Sequence, residues 1–192
     1  MNKDLLKFLD EFKLVKKEKT DASNFLKVES FQCELNNGKI IKREKILKNG
    51  KDGDAVIIFP ITQDNKIVTA CEPRVFTEKT VDVGFPAGYI EEGEDAVVSA
   101  KRELLEETGY LSDDFIEVGS FYQDQGCSAA LNHYYIAFNC VLTSKQKLDE
   151  SEFIKYFLVD FDEVKELYQN GYFKGLNSAY LIEKVSSYLN KD

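Results

Sequence analysis

The order of segments predicts an α/β (α+β) fold, a mixed set of strands accompanied by three or four helices. Three observations predict it. Runs rich in Val, Ile and Phe recur along the chain, stretches with apolar residues at helical spacing fall at its start, middle and end, and Asn, Asp and Gly separate neighbours. The 192 residues are 43% hydrophobic, with 14 Phe and 10 Tyr, enough for a core, and 31% charged. At roughly 150 residues per domain, that is one domain with an appendage. Disordered, collagenous and coiled-coil classes are excluded.

Each element follows from its residues. Leu5, Leu6, Phe8, Leu9 and Phe12 recur at near-helical spacing, so 3–13 reads as a short amphipathic helix. Strand-like runs at 25–35 and 40–47 flank Asn36-Asn37-Gly38, a hairpin turn. The polar loop 48–54, KNGKDGD, marks the expected internal boundary: a helix-and-strand extension over 1–50 and a main domain over 51–192. Runs at 55–62 and 67–71 flank a second hairpin turn, Gln63-Asp64-Asn65. A strand near 80–90 comes next, then a helix from about 94 to 108 that Gly109 stops. Strands near 114–123, 131–142 and 152–159 follow. Asp160 and Glu163 have the spacing of a capping box, opening a helix to about 169. A last helix runs from about 177 to 190. The order leaves the topology open.

Charge and composition narrow the function. With 34 acidic against 25 basic side chains the net charge is −9, the opposite of a general nucleic-acid binder or a polybasic membrane clamp. The longest apolar stretch, VIIFPI at 56–61, is far short of the ~20 residues a spanning helix needs. Asp4, Lys7, Asp10 and Glu11 interrupt any signal-peptide core. The expected address is the cytoplasm, with neither nucleic acid nor membrane as partner. Cys33, Cys71, Cys127 and Cys140 form no CxxC pair and read as small buried thiols. The single histidine, His133, lies in a strand-like run and reads as structural.

One helix departs from ordinary rules. Over 94–109, EDAVVSAKRELLEETG, the residues Ala96, Val97, Ala100 and Leu104 form one apolar stripe, and Glu103 and Glu107 lie together along its edge. Glu106 sits further round, four residues beyond Arg102. Three carboxylates thus crowd the last two turns, where the helix dipole favours cations and like charges four apart cost a few tenths of a kcal/mol. Arg102 can pair with Glu106 while leaving Glu103 and Glu107 free. Carboxylates without histidine or thiolate suit a hard cation, Mg²⁺ or Mn²⁺.

Spacing gives that cation a context. From Gly88 the chain runs GYIEEGEDAVVSAKRELLEETGY. This resembles the box of the Nudix family: Gly, five residues, Glu, seven residues, Arg-Glu, an aliphatic, any residue, Glu-Glu, any residue, Gly, an aliphatic. The matching residues are Gly88, Glu94, Arg102, Glu103, Leu104, Glu106, Glu107 and Gly109. Seven fixed identities at ~7% usage each have a chance probability on the order of 10⁻⁸ per start position. Tyr110 stands where the family has an aliphatic residue, a change of packing rather than of chemistry.

The resemblance implies a mixed sheet between helices, an α/β/α sandwich, here with an N-terminal antiparallel β extension. It implies hydrolysis of a nucleoside diphosphate linked to another moiety by metal-activated water, with no cysteine, serine or histidine nucleophile. Glu103 and Glu107 would be metal ligands, Glu106 a further ligand or bridge, and the Ala87 carbonyl another. Arg102 would orient the carboxylates, and Gly88 and Gly93 would let the backbone bend close to the metals. Softer likenesses point to the ADP-ribose pyrophosphatases and their nucleoside-diphosphate-sugar relatives. Phe85-Pro86-Ala87-Gly88 is similar to their Pro-Ala-Gly lead into the box, and Cys71-Glu72-Pro73-Arg74 to their Gln-x-Arg element, with Arg74 gripping a phosphate. Ser120 to Gly126 resembles their strand–loop without its proline or following acidic residues. In the loop before the 152–159 strand, the likeness assigns Glu150 as general base and Glu152 as an auxiliary metal contact. Two alternatives stay open: triphosphate sanitation by the same box, and a binding module without catalysis. The strands before residue 50 and the subfamily's habit of pairing through them imply a homodimer.

Overall fold

A computed structural model describes residues 1–21, 25–77 and 81–189. In chain order the elements are α1 (Lys3–Glu11), β1 (Leu26–Glu34), β2 (Ile40–Lys48), β3 (Ala55–Thr62), β4 (Ile67–Pro73), β5 (Val81–Gly84) and β6 (Ala87–Tyr89). Then come α2 (Ala96–Thr108), β7 (Tyr110–Leu111), β8 (Asp114–Tyr122), β9 (Leu131–Leu142), β10 (Lys155–Val159), α3 (Phe161–Gln169) and α4 (Leu176–Leu189).

The layers follow from β3, whose run of apolar residues must be covered on both faces. Val56 and Ile58 point one way and join Ala100 and Leu104 of α2. Ile57, Phe59 and Ile61 point the other way, onto Val164 and Leu167 of α3 and Leu181 and Ile182 of α4. The sheet is therefore sandwiched between α2 and the α3–α4 pair. Its order is β10-β4-β3-β9-β7, with β5 on β4, β6 on β3 and β8 on β9. β3 and β9 run parallel while their other pairings are antiparallel, so the sheet is mixed. α1 joins the α3–α4 side: Leu5 is fully buried in that cluster, and Phe8 and Phe12 pack against it. Among the described residues no helix is long and apolar enough to cross a membrane.

The β1–β2 hairpin makes its own two-stranded sheet, paired from Leu26↔Lys48 to Glu34↔Ile40. It attaches to the main body at its base, through buried Leu47, an Ile46 N–H donated to the Cys127 carbonyl (2.8 Å) and a Lys48–Gln123 side-chain hydrogen bond.

Several elements differ from expectation for physical reasons. The single strand expected near 80–90 is two, broken at Phe85-Pro86, and the break lets the chain move from β4 to β3 as its partner. Asp160 occupies the N-cap of α3 without a capping bond; its carboxylate takes Lys66 at 2.7 Å, and Glu163 receives the backbone N–H of Asn2 instead of completing a capping box. α2 begins at Ala96, because Glu94 is turned back to Arg102. Cys71 and Cys140 are buried thiols, but Cys33 is exposed on the hairpin and Cys127 half-buried.

Candidate active site

The site is built on the loop–helix–loop from Gly88 to Gly109. Arg102, midway along α2, fans its guanidinium over several partners, including the Ser99 hydroxyl at 3.1 Å. It grips both oxygens of Glu94 (3.0 and 2.9 Å), Glu103 Oε1 (2.7 Å), Glu106 Oε2 (3.2 Å) and the Tyr89 carbonyl (3.0 Å). Arg102 pairs with Glu106 as expected and makes no bond to Glu107, but the expectation that it would also leave Glu103 free is corrected. Glu94, fixed in the motif but given no role by the sequence, is its bidentate partner and ties the preceding loop to the helix. Surrounded by these carboxylates, Arg102 is held firmly in its charged form.

Gly88 explains its own identity. A Cβ there would lie 2.0 Å from the Glu103 carboxyl carbon, so only glycine lets this carboxylate lie against the backbone. Gly109 caps α2 in the left-handed region (φ 76°), and a Cβ there would meet the Ser144 carbonyl oxygen at 2.2 Å. Residues 144–147 then close onto the end of α2: Lys147 N–H and Gln146 Nε2 donate to the Glu106 and Glu107 carbonyls. That contact delivers the 148–154 segment to the site. Tyr110, the one departure in the box, is buried and packs edge-on against Tyr156.

The electrostatics run against isolated carboxylates. Glu107 is 5% exposed. Burial pushes its carboxyl well above the usual range, opposed by the Ala87 N–H (3.0 Å) and aided by the charges of Glu103, Glu72 and Glu152. Burial also raises Glu103, with Arg102 pulling the other way.

These groups form one end of a cavity of about 990 Å³. Ala87, Gly88, Arg102, Glu103 and Glu107 line it, and Glu72, Arg74 and Glu152 face them. Arg74 reaches the cavity as expected, yet Glu72 holds it in a two-point pair at 2.9 and 2.7 Å. Glu152 is on the cavity wall, its Oε2 accepting the Asp149 N–H at 3.0 Å. Glu150, on the same turn, is exposed and outside the lining, and Glu106 is turned onto Arg102 beside it. Glu72, raised by burial, is a cavity carboxylate that the sequence reading quoted without a role. No residue-level signal marked it, since alternation along β4 fits a solvent-facing glutamate equally well.

The residues fit a hard cation. One Glu107 oxygen takes the Ala87 N–H, among the described residues nothing hydrogen-bonds the other, and Glu107 lines the cavity. Glu103, Glu107, Glu72 and Glu152 outnumber Arg102 and Arg74 on the cavity wall. The donors are oxygens only, as Mg²⁺ or Mn²⁺ prefers. Among the described residues no three metal-binding side chains converge into a ready-made cage. Arg102 meanwhile engages Glu103 and Glu106.

An α/β/α sandwich carrying carboxylates on a loop–helix–loop at a polar cavity defines a class of hydrolytic enzyme. The model of the NUDIX domain matches residues 51–176. The chain belongs to the Nudix family, and it is a Nudix hydrolase. An ADP-ribose pyrophosphatase of Bacillus subtilis (strain 168) is 32% identical over 179 residues, 93% of this chain and 94% of that protein. A methanol dehydrogenase activator of Bacillus methanolicus is 37% identical over 158 residues, 81% of this chain and 82% of that protein. A solved structure of an ADP compounds hydrolase superposes with a TM-score of 0.74 at 24% identity, covering 90% of each chain, and shows the same fold.

Proposed function

We propose that the protein hydrolyses the diphosphate bond of ADP-ribose or a related nucleoside-diphosphate sugar, giving a nucleoside monophosphate and a sugar phosphate. The observation that carries this reading is the make-up of the cavity. Its lining combines the carboxylates of Glu72, Glu103, Glu107 and Glu152 and the guanidinium groups of Arg74 and Arg102 with uncharged polar and aromatic residues such as Phe121, Gln123, Asn132, Tyr134 and Asn177. The ADP-ribose pyrophosphatase relative, aligned over nearly the whole chain, supports the same substrate class.

Glu103, Glu107, Glu152 and the Ala87 carbonyl would hold Mg²⁺ or Mn²⁺, with Glu106 as a further contact. When bound, the cation neutralises the diphosphate and lowers the pKa of a water. Arg102 fixes Glu103 and Glu106 against the helix. Arg74 binds a phosphate oxygen on release from Glu72, replacing one anionic partner by another. Glu152 already stands at the cavity; for Glu150 to take the proton from the attacking water, the 148–152 turn must close over the substrate.

A role as a non-catalytic regulator would fit the activator relative's name. The intact set of Arg102, Glu103, Glu106 and Glu107 favours catalysis. The hairpin supports a homodimer, and the acidic composition supports a cytoplasmic protein that binds neither nucleic acid nor membrane. The test is a panel of nucleotide sugars and triphosphates with and without Mg²⁺. The expected result is ADP-ribose cleaved to AMP and ribose 5-phosphate, with orthophosphate appearing only after phosphatase treatment. ATP or dGTP as best substrate by kcat/KM, or no turnover of any compound, overturns the proposal.

A further inference from the structure

Glu72, near the end of β4, stands between two kinds of neighbour. On one side is Arg74, two residues further along, across a proline that fixes the intervening backbone. The carboxylate meets this guanidinium at two points, 2.9 and 2.7 Å. Among the described residues no other side chain hydrogen-bonds the Arg74 guanidinium. On the other side are carboxylates. Strand register puts Asp82 of β5 directly across from Glu72, a like-charged pair that costs stability. Glu152 of the 148–152 turn faces it as well, and its own charge bears on Glu107 of α2.

A carboxylate is poorly placed here for stability alone. Burial pushes the Glu72 carboxyl up, Arg74 pulls it back, and Glu152 and Asp82 push it further. In the Gln-x-Arg element that this stretch resembles, a neutral amide occupies the same place. An amide would accept from the arginine more weakly and would offer a hard cation no charge. Glu72 can do both.

The strength of the pair suits exchange. The Glu72 and Arg74 side chains are 38% and 52% exposed, and ion pairs this open to water contribute little. A carboxylate and a phosphate also compete for the same fork of guanidinium donors. Arg74 is therefore occupied by an anion of its own chain, held by a contact weak enough to break.

We propose that Glu72 is a positioning residue that makes the phosphate grip of Arg74 conditional on the divalent cation. Without a cation, Glu72 holds Arg74. With one among Glu103, Glu107 and Glu152, Glu72 is drawn to that charge and leaves the guanidinium to a phosphate oxygen. Binding then runs cation first and nucleotide second, and phosphate compounds that arrive without a cation are held weakly. This rests on the reading above that these carboxylates take a cation and Arg74 a phosphate.

Equilibrium binding tests the link without turnover. Isothermal titration calorimetry of AMP into the full chain, with and without Mg²⁺, would compare wild type with Glu72→Gln. Without metal the substitution should tighten AMP about threefold to fivefold, toward the upper end of the range for an exposed pair. The gain should vanish in an Arg74→Gln background, which separates release of Arg74 from simple removal of a negative charge. Mg²⁺ should tighten AMP more in wild type than in Glu72→Gln, by the same factor, a coupling that a merely structural role would not move. No gain in Glu72→Gln, an equal gain without Arg74, or an Mg²⁺ effect of equal size in both proteins overturns the proposal. If the expected pattern appears yet no nucleotide sugar is cleaved, the link stands and the hydrolytic reading falls. If ADP-ribose is cleaved while Glu72→Gln leaves AMP binding unaltered, the link falls alone.

Discussion

Glu107 combines near-complete burial with a negative charge that no arginine reaches, and its protonation should be visible in stability. Its folded-state pKa lies well above the ordinary value near 4.5. A raised carboxyl stabilises the folded chain fully below that ordinary value, and the contribution is lost as pH rises through the folded pKa. With metal chelated, Glu107→Gln should therefore raise Tm at pH 7.5, and the gain should vanish toward pH 4. Thermal denaturation at both values checks the sign. The same substitution, and Glu103→Gln, should lower Mg²⁺-dependent turnover by about a hundredfold or more, at least the upper range for loss of a metal-site partner. A fully active Glu107→Gln protein removes it from the metal set. Glu150 and Glu152 separate by a different readout. Glu152→Gln should demand more Mg²⁺ for half-maximal rate, whereas loss of a base at Glu150 should lower kcat at unchanged Mg²⁺ demand. If neither changes kcat tenfold, Glu106 becomes the candidate base. The residue types of this site were legible from the box spacing alone. The partners were legible only in part: Arg102 takes Glu106 as expected, but Glu94 also returns to it from outside the helix, a contact that helical periodicity does not encode.

At the scale of elements, α1 ties the N-terminus to the working end of the molecule. Asn2 caps it, accepting from the Asp4 and Leu5 N–H groups, and Leu5 is fully buried. Phe12 stacks on Phe153 at 5.0 Å, next to Glu152, and Phe8 packs on Phe157 at 5.7 Å. Leu5→Ala should cost about 2–5 kcal/mol, the usual range for a fully buried leucine. Phe12→Ala should raise the Mg²⁺ requirement as well as lower Tm, because the Phe153 ring it stacks on adjoins Glu152. Urea denaturation and a Mg²⁺ titration of rate check the pair; an unaltered Mg²⁺ requirement separates α1 from the site. The amphipathic spacing announced this helix, but which surface it covers was not in the sequence. An apolar stripe states that a partner exists and not where it lies.

For the whole molecule, the hairpin is the part whose packing is unfinished. Every residue of β1 is exposed, Leu26 and Val28 by 59% and 61%, and Ile40 of β2 by 55%. A strand edge with exposed apolar side chains invites another chain. Sedimentation at micromolar concentration should give twice the 22.0 kDa of one chain. A stable monomer contradicts the dimer. Replacing Val28 with Lys should shift the protein toward monomer without lowering the Tm of its core, since the hairpin's apolar residues stand outside both core clusters.

The sequence by itself determined the family, the mixed fold class, most element positions, and the carboxylates of the box. Those are properties of local spacing: period, turn residues and a fixed motif survive in one dimension. Only the tertiary structure decided that β3 and β9 run parallel, that Glu152 rather than Glu150 stands at the cavity, and that Glu72 joins it. It alone set Glu72 between Arg74 and the carboxylates of Glu107 and Glu152. These residues lie on three separate stretches of chain, and their chemistry exists only once the sheet and α2 have closed around the same space.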